Sequence, residues 1–65
     1  MEDLEKRKRA LREIIKRMGN EIKYMQKLAD PKRPPDERLQ WIKGIQKARK
    51  IIQECVKELI ELEKP

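Results

Sequence analysis

The chain has no His, no Ser and no Thr, and its single cysteine is Cys55. An activated nucleophile needs a base beside it, and no such pair can be composed from these residues. One cysteine excludes an intramolecular disulfide and a Cys-only zinc site, and without His the common mixed ligand sets fall away as well. No phosphate-cradling loop is present. Arg17 and Glu21, beside the apolar rows described below, read as a rim ion pair rather than as catalysts. Cys55 reads as a small buried apolar residue and Trp41 as a core anchor. The reading is therefore of a protein that is not an enzyme and needs no metal or cofactor. What remains is the chemistry of surfaces, apolar and charged.

The stretch with the most to say is Leu11 to Met25, LREIIKRMGNEIKYM. Leu11, Ile15, Met18, Ile22 and Met25 recur at alternating spacings of four and three. At roughly 100° per residue that rhythm puts all five on one side of a helix. Gly19 and Asn20 interrupt it with two poor helix formers, and a glycine in a helix interior costs about 1 kcal/mol relative to alanine. Helix stability did not select that pair.

Leu11, Ile15, Met18 and Ile22, with Gly19-Asn20 between the last two, resemble the Bcl-2 homology 3 (BH-3) helix of pro-apoptotic proteins. That pattern has four apolar anchors, a small residue after the third and an acidic residue next. The resemblance implies that the four anchors fill successive pockets of a prosurvival Bcl-2-family groove, with Met25 one step further along the same row. It implies that Gly19 allows close helix-to-helix approach, where a Cβ would intrude. The acidic position, which would pair with a groove arginine, is Asn20 here and carries no charge. The match covers a short part of the chain, with Ile15-Lys16-Arg17-Met18-Gly19 as its most specific core.

Two helices must carry these residues. Helix 1 is expected over about 2–29, with Glu2, Asp3 and Glu5 at the positive end of its dipole. Its heptad row of Leu4, Leu11, Ile15, Met18, Ile22, Met25 and Ala29 has one polar interruption, Lys8. A parallel row holds Ala10, Ile14, Tyr24 and Leu28. Asp30-Pro31-Lys32-Arg33-Pro34 is a loop, because Pro31 disfavours helical geometry at Asp30 and Pro34 cannot continue a helix. Helix 2 is expected over about 35–63, opening on Pro35 with Asp36 and Glu37 behind it. Its seam is Trp41, Ile45, Ala48, Ile52, Cys55, Leu59 and Leu62, with Ile42, Val56 and Ile60 on one flank and Ile51 on the other.

The fold this predicts is all-α, an antiparallel two-helix hairpin in one domain over residues 1–65. The alternative is a three-helix bundle with a turn at Gly19-Asn20, since glycine is the commonest helix stop. In the hairpin, the Glu-rich end (Glu54, Glu58, Glu61, Glu63) lies beside Lys6 to Arg9. Gly44 lies almost opposite Gly19, so two facing glycines would let the helices cross closely or make room for Trp41.

Charged residues make up 46% of the 65 and aromatics 3%. That composition, at helical period and without Ser or Thr, is nearer an idealised, designed chain than an average domain. No run approaches 18 apolar residues, so neither a membrane span nor a signal peptide is expected, and the default address is cytoplasmic. The net charge of +6 is unevenly placed: residues 1–15 carry +1, residues 16–50 carry +7 and residues 51–65 carry −2. A basic stripe (Arg9, Arg12, Lys16, Lys23, Lys27) and a cluster at the loop (Lys32, Arg33, Arg38) allow sequence-independent phosphate contact. Two aromatics are too few for a base-stacking platform, so nucleic acid ranks third among partners.

Each apolar arc spans roughly 180°, whereas one neighbouring helix covers about 100°. Apolar surface is therefore left over. The chain is expected either to present a helix to another protein, a Bcl-2-family groove protein in the leading reading, or to pair with itself as a homodimer forming a four-helix bundle.

Overall fold

A computed structural model describes residues 2–64 and places them in two helices, α1 (Glu2–Leu28) and α2 (Pro35–Glu63). Met1, Pro65 and the side chain of Glu2, which the sequence reading put in the domain and at the helix dipole, lie outside the described residues. α1 closes with the Ala29 amide donating to the Met25 carbonyl at 2.9 Å. Its end at Leu28 falls one residue short of expectation. Beyond it the Asp30 carboxylate accepts from the Lys32 amide at 2.8 Å, while the Asp30 carbonyl accepts from Arg33 at 2.9 Å. This is the local turn that aspartate forms readily.

α2 begins where a proline costs least. Pro35 occupies the first helical position, whose amide would have no partner anyway. Pro34 before it is extended, at φ −56° and ψ 146°, and offers no side-chain cap. The exposed pair Arg33–Glu37, 3.0 Å apart, spans the junction instead, and Asp36 and Glu37 suit the helix dipole.

α1 runs through Gly19 and Asn20 without a break. A glycine stop needs positive φ, and no glycine among the described residues has it. The three-helix alternative is thereby excluded. The chain is an all-α hairpin, and its sense is antiparallel: Arg7 pairs with Glu58 near the open end, while Met25 meets Gly44 near the loop.

Leu11, Ile45, Ala48 and Cys55 form the buried seam between α1 and α2. Ile15, Met18, Ile22, Met25, Trp41, Ile51, Ile52, Leu59 and Leu62 are half-buried around it. A slender rod results, 50 Å by 14 Å by 12 Å.

Antiparallel helices wind in opposite senses seen from one end, so their apolar flanks separate onto two faces of the rod. The α1 flank of Ala10, Ile14, Tyr24 and Leu28 shares a face with Ile51 and with the Arg7–Glu58 pair. The α2 flank of Ile42, Val56 and Ile60 lies on the other face, with Gly19 and the Arg12–Glu63 pair, 3.1 Å apart. Ile14, Tyr24, Ile42, Val56 and Ile60 are all exposed.

Candidate functional site

The four apolar anchors and Met25 do form one row, and that row is turned against α2. Leu11 is only 2% exposed, and Ile15, Met18, Ile22 and Met25 are half-buried along the seam. Of the parallel row, Ala10, Ile14 and Tyr24 are exposed, Tyr24 to 63%, while Leu28 is half-buried. Asn20 sits apart from the seam on the outer surface of α1, beside a shallow polar depression of about 220 Å³ shared with Glu13, Lys16 and Arg17. Its side-chain amide is open to any partner that approaches from outside.

The two glycines differ in a way their sequence positions did not reveal. A Cβ built on Gly44 would stand 2.7 Å from the Met25 Sδ, so the thioether occupies the space that glycine vacates. A Cβ on Gly19 would meet nothing within 4 Å. The expectation of two facing glycines easing a close crossing fails at Gly19. Heptad drift carries it to the edge of the seam, toward the Ile60 face, where α2 does not reach.

Gly44 and Ala48, one turn apart on α2, also leave a groove of about 310 Å³ against Met18, Met25 and Ile51, with Glu21 and Lys47 beside it. The sequence reading missed this groove, although two small residues at i, i+4 opposite a methionine pair were its signal. No ion pair joins Arg17 to Glu21 among the described residues, contrary to expectation. Glu21 lines the groove instead.

The cross-pairing of the open end is real but sparse. The Arg7 guanidinium donates from Nε to Glu58 Oε2 at 2.6 Å and from Nη2 to Oε1 at 3.0 Å. Those hydrogen bonds, ahead of any charge effect, hold the Glu58 carboxyl below the usual carboxylate range and raise Arg7 above its ordinary value. Arg12, placed on the outer stripe by the sequence, bends across to Glu63. Lys8, the polar interruption in the row, lies 3.9 Å from Glu5 within its own helix. Near the loop, Arg38 Nε and the Trp41 indole N–H are covered and have no hydrogen-bond partner.

Among the described residues no cluster of His, Cys, Asp and Glu could hold a metal ion, and no helix is long and apolar enough to cross a membrane. Cys55 is a buried free thiol on the seam. No family model, no curated protein and no solved structure matches the chain.

Proposed function

We propose that this protein is a helix-presenting binding module whose α1 docks in the apolar groove of a Bcl-2-family protein. Leu11, Ile15, Met18 and Ile22 are the anchors, Met25 extends the contact, Gly19 is the point of close approach, and Asn20 hydrogen-bonds where the family has an acid. The single observation in support is the open space beside Gly19. A glycine costing about 1 kcal/mol of helix propensity does nothing for the packing of its own hairpin. A second protein's helix crossing at that point would use it.

Docking uses the row that α2 covers, so α1 must leave α2 to bind. Small domains have about 0.05–0.15 kcal/mol of stability per residue, on the order of 3–10 kcal/mol for a chain of this size, and release of α1 costs no more than that total. Four large apolar side chains each gain about 1.5–3 kcal/mol on full burial. The two quantities are comparable before the cost of association is counted, so the expected binding is weak, and its apparent affinity is the intrinsic one multiplied by the fraction of hairpin that is open. Asn20 lowers it further by replacing a charge-assisted hydrogen bond with a neutral one.

Calorimetric titration of the full chain into a purified prosurvival Bcl-2-family protein tests this. Binding is expected for the wild type and is expected to disappear in Gly19→Glu. Far-UV circular dichroism of that variant should stay helical, because the new side chain meets nothing in the hairpin. Wild-type chain that gives no binding, or Gly19→Glu that binds equally well, removes the reading.

A further inference from the structure

Beyond groove binding, and independent of it, we infer that the outward row of α2, Ile42, Val56 and Ile60, is the interface for a second copy of this chain, docked antiparallel. These side chains are 43%, 39% and 55% exposed on one face of the rod. The dimer leaves α1 seated on α2, so it requires no opening of the hairpin.

Three features select a second copy, and that orientation, as the occupant. The first is register. A two-fold axis crossing α2 near its middle sets Ile42 of one copy against Ile60 of the other. The same register brings Arg38 of one copy alongside Glu63 of the other. Arg38 forms no ion pair within its own chain among the described residues, and the partner's Glu63, held at home only by an exposed pair with Arg12 that contributes little, can turn to it. Two equivalent contacts form at once, as a two-fold interface requires.

The second is charge along the rod. The loop-end segment, residues 16–50, carries +7, whereas the two open-end segments, +1 and −2, together carry −1. Side-by-side parallel docking would stack the two strongly basic halves on each other. Antiparallel docking lays each basic half against the weakly acidic end of its partner. The third is length. At 1.5 Å per residue the paired stretch from Arg38 to Glu63 runs roughly 38 Å along α2, most of the 50 Å length of the rod.

Sedimentation equilibrium on the full chain decides it. The wild type is expected at twice 7.9 kDa. Ile60→Lys and Ile42→Lys are expected at the monomer mass with helical circular dichroism retained, and Ile14→Lys, on the opposite face, is expected to remain dimeric. Arg38→Glu should weaken the dimer at least several-fold, and adding Glu63→Lys should recover much of the loss. A wild type that stays monomeric up to its solubility limit overturns the proposal. So does a dimer that survives Ile60→Lys and Ile42→Lys, or one lost only in Ile14→Lys. A double variant no better than Arg38→Glu alone overturns the antiparallel register. None of these readouts involves a Bcl-2-family protein, so this interface and the groove reading fail separately.

Discussion

Gly19 and Gly44 cost their helices the same propensity and differ in what surrounds them. Gly19→Ala places its methyl in open space, so it should stabilise the chain by about 1 kcal/mol. In a domain of this length that raises Tm by about 4–8 °C, read from thermal melts at one protein concentration. Gly44→Ala gains the same propensity but must push the Met25 thioether from a point 2.7 Å away. Methionine is flexible enough to move, and the two effects should leave Tm nearly unchanged. A larger gain at Gly44 than at Gly19 would contradict this account of both positions. Arg7 and Glu58 give a test by pH. The folded-state value of Glu58 lies below its unfolded one, so its contribution is complete above the unfolded value, near 4.3 in model peptides. It is lost as the pH falls through the folded value. The stability difference between wild type and Arg7→Gln should therefore be present at neutral pH and vanish in strong acid. A difference that survives complete protonation of Glu58 would mean that Arg7 acts through packing instead.

The hairpin is held at the scale of the helix by a narrow seam in which Leu11 is the most completely covered side chain. Leu→Ala at a buried site costs about 2–5 kcal/mol, which for a chain of this size is a large share of the roughly 3–10 kcal/mol available. Leu11→Ala should therefore melt well below the wild type, whereas Ile14→Ala, at a side chain 37% exposed on the flank, should cost distinctly less. Similar losses at both positions, measured by urea denaturation, would show that α1 is rotated from the orientation described. These elements were readable in advance for definite reasons. Pro31, Pro34 and Pro35 each act on their own backbone or the residue before, so the loop and the start of α2 follow from local chemistry. The unbroken four–three rhythm from Leu11 to Met25 crosses Gly19 in phase, which is why one helix and not two was the better reading. Spacing alone left open which of the two α1 rows meets α2, because both rows are continuous and apolar.

The whole molecule is a rod with more apolar surface than two helices can cover. Ile14, Tyr24, Leu39, Ile42, Val56 and Ile60 stay exposed after α1 and α2 have packed. If a second copy covers part of that surface, folding is linked to concentration by mass action. The Tm of the wild type should then rise as protein concentration is raised, and that of Ile60→Lys should not. Equal concentration dependence in the two would place the contact elsewhere. The excess of apolar surface was legible from the width of the arcs. The separation of the α1 and α2 flanks onto opposite faces was not, since it depends on the two helices winding oppositely about a shared seam.

By itself the sequence determined two helices, their boundaries to within a residue, their antiparallel order and a residue inventory without His, Ser or Thr. Each of these follows from neighbours in the chain: proline geometry, a short loop, helical periodicity and residue inventory. Only the tertiary structure decided that the anchor row faces α2, that Met25 fills the space at Gly44, and that Gly19 faces open space. Those depend on how one helix is rotated against the other. A rotation of a few tens of degrees exchanges a covered glycine for an open one and leaves the sequence pattern unchanged.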